Sequence, residues 1–278
     1  MVFCKLFINF CGQHNLIKIN AMKTNSFSTL TVHFKLFAML FIFILVAGSC
    51  EEPNDIDESQ SNQSTTSTAA KIPVPQYPGT AAFVTNITNP YLNFDIGRVF
   101  NYESDDGEET ITIEVTGDTK IVMGVTTTVV REKAFKQGQL VEDTFDWFAQ
   151  DTDGNVWYFG EDSKEIENGA VVSTEGSWEA GVDGAEPGIL MLATPQIGMQ
   201  YRQEYYEGEA EDEAKVLSLS ESVDVPFGSF KQVLETMEWS QLEPGAREHK
   251  YYKQGVGLLL EEAHAGGGER VELISIQN

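Results

Sequence analysis

Apolar and polar residues alternate with a period of two along most of the chain beyond about residue 89, and that period predicts strands. In "TITIEV" (110–115), Ile111, Ile113 and Val115 share one face, and Thr110, Thr112 and Glu114 share the other. "KIVMGVTTTVVRE" (120–132) is β-branched almost throughout, with Gly124 at a turn or bulge. "FDWFAQDTDGNVWYFGED" (145–162) reads as two aromatic strands around Asp153-Gly154, with Trp157, Phe159 and Glu161 opposite Val156 and Tyr158. Asn168-Gly169 repeats the hairpin device. In 214–239, Leu217, Leu219, Val223 and Val225 are expected inward, with a turn at Pro226-Phe227-Gly228. The stretch from His249 onward adds three strands, divided by glycine-rich turns at 255–257 and 266–268. Only 207–215 offers helix, and then a single turn.

About eleven short strands at spacings of roughly 8–15 residues predict an all-β fold, an antiparallel meander with little helix. One apolar face per strand means that the sheet covers a core on one side. It then curls into a half-barrel or closes as a barrel.

The first seventy residues follow different rules. Residues 36–48 are uncharged, follow Lys35, and lead through Val46-Ala47-Gly48-Ser49 to Cys50. Spanning a bilayer takes roughly 20 apolar residues, so this run has the length of a signal-peptide core. Lys5, Lys18, Lys23 and Lys35 are the charged residues before Cys50, and the long n-region leaves Met22 as an alternative start to Met1. The exit resembles the lipobox of bacterial lipoproteins, with Ala47 where Leu is usual. That resemblance implies removal of 1–49 and a diacylglycerol on Cys50. Cys4 and Cys11 would leave with the signal, so Cys50 has no partner for a disulfide, and lipidation accounts for it. The alternative is an ordinary cleaved signal with an incidental cysteine.

Glu51, Glu52, Asp55, Asp57 and Glu58 behind the cysteine resemble the surface-export signal of Bacteroidota lipoproteins. The resemblance implies a Gram-negative outer-membrane lipoprotein, periplasmic or surface-exposed, attached to the membrane through its N-terminal lipid. Residues 51–70 are polar and lack aromatics, the composition of a flexible tether; "KIPVPQYP" (71–78) stiffens into a polyproline spacer. The expected organisation is signal 1–49, lipidated tether 50–88 and a single β-domain 89–278.

After residue 49 the chain holds 14 Lys+Arg against 43 Asp+Glu, which excludes nucleic acid and anionic lipid surfaces as partners. Asp151, Asp153 and Asn155 half-resemble a calcium loop, but Gly154 stands where a type I′ hairpin wants it, so the hairpin reading is preferred. With His14 and His33 in the signal, only His249 and His264 remain, too few for a structural zinc site, and no motif implies a cofactor.

Two functional readings follow. An aromatic-rich sheet offers Trp147, Trp157, Tyr158, Trp178, Arg202 and Tyr205 to an apolar ligand, a glycan or an envelope protein. This is the preferred, non-enzymatic reading. Strand 201–206 places Tyr201, Gln203 and Tyr205 on one face and Arg202, Glu204 and Tyr206 on the other. Glu204, Arg202 and His249 would therefore be the acid–base set of an envelope hydrolase or lyase, the alternative. Most of 98–276 resembles uncharacterised bacterial secreted and lipoprotein domains, broadly similar to the lipoprotein-carrier (LolA/LolB-like) curved sheets. This resemblance implies a fold and a compartment.

Overall fold

A computed structural model describes residues 71–263 and 270–278. The signal, Cys50, the tether 51–70, His264 and the glycines at 266–268 lie outside the described residues. Seventeen strands follow one another: β1 (Phe83–Val84), β2 (Val99–Ser104), β3 (Glu109–Val122), β4 (Val125–Lys136), β5 (Gln139–Asp151), β6 (Val156–Asp162), β7 (Glu165–Glu167), β8 (Ala170–Ser173), β9 (Trp178–Glu179), β10 (Glu186–Met191), β11 (Gln200–Arg202), β12 (Glu204–Tyr205), β13 (Asp212–Val225), β14 (Gly228–Ser240), β15 (Glu248–Lys253), β16 (Gly257–Ala263) and β17 (Arg270–Gln277). One three-residue 3₁₀ turn, Thr80–Ala82, is the only helix among the described residues. The excess over eleven strands comes from β1, which precedes residue 89, and from the short segments between β6 and β13, where one expected strand at 201–206 is split into β11 and β12.

All seventeen strands belong to one antiparallel sheet. The meander β2–β6 passes to β10, which pairs with β6 on one edge and β12 on the other, and β11 and β12 lead to β13. From β13 the meander runs to β17, and β17 pairs with β2, so the ring closes. The sheet is a barrel and not a half-barrel.

Two glycines make the seam possible. A Cβ on Gly188 would lie 2.2 Å from the backbone of Gln203, and one on Gly160 would lie 2.2 Å from the carbonyl oxygen of Trp178. Gly160 also has φ +128°, which disfavours any side chain there.

The turns follow the residues that the sequence supplies. Met123-Gly124, Gln137-Gly138, Asn168-Gly169 and Asp183-Gly184 all place both residues at positive φ, as a type I′ turn requires. Asp153-Gly154 differs, since only Gly154 has positive φ. Its amide bonds Asp151 O, and the amide of Asp151 bonds Asn155 O, making a three-residue loop with a glycine bulge.

The predicted faces of β3 hold, with Ile111, Ile113 and Val115 buried. Bulges overturn two other assignments and a bend overturns a third. Register shifts at Val216/Ser218 and beyond put Val216 in the core beside Val223 and Val225, while Leu217 and Leu219 are only half-buried. A shift between β5 and β6 brings Glu161 opposite Asp146 and onto the side of Tyr158. A bend at Gln203 separates β11 from β12, so Arg202 and Glu204 do not share a face. Residues 206–210 form a turn closed by Tyr206 and Ala210, and no helix.

The strands β5 and β6 are buried on both faces. Outside, Trp157 and Phe159 pack against Phe83, with ring centroids 6.0 and 5.4 Å away, and Tyr77 stacks on Phe83 at 5.8 Å. The arm of the β3–β4 hairpin covers the neighbouring Trp147, with Lys120 Nζ 3.2 Å from its ring centre. The segment 71–88, which composition assigns to the tether, is therefore part of the folded body. Tyr77 and Phe83 dock it, and Phe83–Val84 adds a short strand to β5. Residues 87–94 then cross one end of the barrel. Asn89 Nδ2 bonds the carbonyls of Gly154 and Leu192, Gly255 N bonds Pro90 O, and Ile87, Tyr91 and Leu92 turn inward as a floor.

Replacing Gly188 with Ala should destabilise the domain by about 3 kcal/mol, the upper range for overpacking. Gly169→Ala, in an open turn with no atom within 4 Å of the new Cβ, should cost only about 1 kcal/mol for its positive φ. Urea midpoints of the two variants measure the difference.

Candidate functional site

The expected ligand and acid–base residues do not form one surface. Arg202 sits on the outer face, fully buried, with Nη2 2.5 Å from Glu213 Oε1 and Nη1 3.8 Å from Glu211 Oε2. Its guanidinium also donates to Ile72 O at 3.4 Å and lies 5.1 Å from the Tyr205 ring centre, with Lys71 Nζ 5.2 Å from the same ring. The knot holds the start of the described chain against the barrel. Glu204 points the other way, its Oε2 accepting from Trp178 Nε1 at 3.1 Å. His249 is on the outer face of β15, its Nδ1 2.8 Å from Glu235 Oε1. Register puts His249 beside Met237, while its neighbours Glu248 and Lys250 point into the core. Three separate networks hold the three residues, so Glu204, Arg202 and His249 make no acid–base set.

The aromatics divide as well. Trp147 and Trp157 are on the covered outer face; Tyr158 and Trp178 are inside, 5.3 Å apart and edge to face. Asp151, the centre of the calcium-loop alternative, has its carboxylate filled by donors. Oδ1 accepts from the amides of Asp153 and Asn155, and Oδ2 accepts from Asn155 Nδ2 and Trp157 Nε1. Asn155 is in turn tied to Ala193 N. The carboxylate is a hairpin brace. Among the described residues, no group of three or more His, Cys, Asp or Glu side chains has the geometry to hold a metal.

What the sequence did not reveal is the inner face. Glu132 on β4, Asp146 on β5, Glu161 on β6, Glu238 on β14, Glu248 on β15 and Glu261 on β16 are all buried inside, and Lys250 is the one basic residue among them. Lys250 Nζ lies 3.1 Å from Glu238 and 3.9 Å from both Glu248 and Glu261. Burial drives the lysine towards neutrality, but its three carboxylates outweigh that and hold its pKa well above the usual value. Glu238, though desolvated, is held below the usual carboxylate range by Lys250.

Across the lumen the balance is different. The Tyr158 hydroxyl lies 2.6 Å from Asp146 Oδ1 and 2.7 Å from Glu161 Oε2, and one hydroxyl proton cannot serve both. Burial and the charge of Glu161 raise the pKa of Asp146 well above its ordinary value. Glu132 is raised likewise by burial, then by Glu142 and Asp146.

Between these two walls is a cavity of about 70 Å³. Leu92, Phe94, Phe100, Phe148, Leu190 and Leu258 are part of its apolar lining, Asn93, Tyr102 and Tyr252 add polar atoms, and Glu132, Asp146 and Lys250 are its charged groups. Glu132 is 3% exposed, and its Oε1 has no hydrogen-bond partner. Pockets for drug-sized molecules run to roughly 300–1,000 Å³, so the lumen accommodates only a slim group. A signal for this site existed in the sequence: Glu132 is in phase with Val130 and Ala134, an acid in an apolar row.

No family model and no curated protein matches the chain. Solved structures with similar folds include a Bacteroides fragilis protein described as exported, of YmcC-like fold (14% identity, 68% of this chain and 99% of that one, TM-score 0.40). A Parabacteroides distasonis protein described as a lipoprotein is similar at 10% identity, over 68% and 99%, with TM-score 0.32. A β-barrel-like domain of unknown function from Brucella abortus is similar at 11% identity, over 65% and 96%, with TM-score 0.37. The similarity concerns fold, and nothing about function is drawn from it.

Two predictions follow from this geometry. Arg202→Met leaves Glu213 buried without its cation and should cost about 3–5 kcal/mol; adding Glu213→Leu should recover most of it, as a double-mutant cycle by chemical denaturation would measure. Glu132, Asp146 and Glu248 ionise at higher pH in the folded protein than in the unfolded chain. Their contribution to stability is complete below the unfolded carboxyl pKa and is lost as pH rises through the folded values. The urea midpoint should therefore fall from mildly acidic to alkaline pH. Glu132→Gln should flatten that slope and stabilise the protein at pH 8 by on the order of 1 kcal/mol.

Proposed function

We propose that the protein is a lipid-anchored cell-envelope protein, held on the outer membrane of a Gram-negative bacterium through Cys50, whose barrel binds a small ligand in its lumen without catalysis. The lipobox-like exit, the solitary cysteine and the acidic tether support the anchor. Two acyl chains on the glyceride plus an amide-linked one exceed what stable membrane attachment requires. The observation that carries the binding reading is the luminal cavity, with an apolar floor and the unpartnered Glu132 Oε1 on its wall. An acid buried this way costs about 1–3 kcal/mol unless something satisfies it, and a ligand would. The separation of Glu204, Arg202 and His249 weighs against the hydrolase or lyase alternative.

Native mass spectrometry of the protein, extracted from its own membrane fraction in nonionic detergent, tests both halves. The expected spectrum shows a triacylated Cys50 N-terminus and a further small mass that leaves on activation. A chain lacking the lipid mass overturns the anchor, and a lipidated chain with no retained mass overturns the luminal-ligand reading.

A further inference from the structure

The lumen's charges define what it can take. We infer that its ligand carries a primary ammonium on a short unbranched aliphatic chain, with the ammonium against Glu132 and Asp146 and the chain on the apolar floor. This inference rests on the luminal-ligand reading above and names its chemistry.

Sign comes first. Among the described residues the inward acids far outnumber the inward cations, and the lysine there is already surrounded: Lys250 has Glu238 at 3.1 Å and Glu248 and Glu261 at 3.9 Å. An anion approaching Lys250 meets those three carboxylates. A cation approaching the opposite wall meets Glu132 and Asp146, which line the same cavity.

Hydrogen bonding comes second. Glu132 Oε1 is an acceptor without a donor at 3% exposure, and an ammonium brings three donors with no acceptor. A neutral hydroxyl brings one donor against the ammonium's three, and no charge.

Size comes third. About 70 Å³ is roughly half of the ~150 Å³ that accommodates a benzene ring, so a linear chain fits and a ring does not. The walls beside the acids are Leu92, Phe94, Phe100, Phe148 and Leu258, which favour methylenes over a polar chain.

Calorimetric and chemical-shift titrations of the mature chain, Cys50 onward in nonionic detergent, test the assignment. The probes are n-butylammonium, n-butanol, butyrate, cyclohexylammonium and a lysine capped at both backbone ends. n-Butylammonium should saturate the protein at least about tenfold more tightly than n-butanol, butyrate or cyclohexylammonium. Glu132→Gln should lower that affinity at least about tenfold, and Glu114→Gln, an exposed acid on the outer side of β3, should leave it unchanged. The capped lysine separates two sources of the same group: comparable binding marks a protein side chain as the ligand, and its exclusion marks a free amine. Equal binding of butanol and butylammonium, or no effect of Glu132→Gln, overturns the ammonium assignment and leaves a luminal ligand of another kind. Failure of every probe, together with an empty barrel in native mass spectrometry, overturns the luminal reading itself.

Discussion

The fold depends on closing one long antiparallel sheet onto itself, and that closure passes through β10. Its six residues bond β6 on one edge and β12 on the other, so a single short strand satisfies two open edges that would otherwise template aggregation. The neighbouring backbone comes within 2.2 Å of where a Cβ on Gly188 would sit, and a similar approach occurs at Gly160. Both positions need glycine for contact and not for a turn. A closed ring then has an inside, and every other property of the molecule follows from how that inside is filled.

It is filled in two halves. The segment 87–94 seals one end with apolar side chains, and elsewhere carboxyl groups stand among the apolar residues of the inner wall. One lysine cannot neutralise all of these acids. Tyr158 sits between Asp146 and Glu161 on hydrogen bonds that need a proton on one of the carboxyls, while Glu238 stays ionised beside Lys250. The two walls thus differ in kind. One is an ion-pair cluster gathered on Lys250; on the other, burial and neighbouring carboxylates raise the pKa of Glu132 and Asp146.

Strand type, hairpin positions and the all-β class were legible because they rest on local periods and turn residues. Asn168-Gly169 and Met123-Gly124 made the turns that their side chains allow. What failed was phase. A bulge adds one residue without any compositional mark, and one residue reverses every inward and outward assignment beyond it. That happened at Val216/Ser218, between Tyr158 and Glu161, and at Gln203, where Arg202 and Glu204 parted to opposite sides. The aromatics of the sheet were expected to meet a ligand or partner, whereas a second layer formed by 71–84 and the β3–β4 arm buries the outer set. Contacts of that kind join residues 27 to 76 positions apart, beyond the reach of any local pattern.

That second layer bears on how the lumen works. A sheet with one wet face breathes at its edges, but β5 and β6 are clamped on both sides, by Phe83 and Tyr77 without and by Phe148 and Trp178 within. The wall that carries Asp146, Glu161 and Tyr158 is accordingly rigid, and rigidity is what keeps a buried acid unpaired. A soft wall would collapse until Glu132 found a donor or reached water. The outer knot of Arg202, Glu213 and Ile72 O fixes the chain that leaves toward Cys50 to the same barrel. The strength of the outer layer therefore limits how far the lumen can relax, which ties the cavity's unsatisfied acid to packing on the opposite face of the sheet.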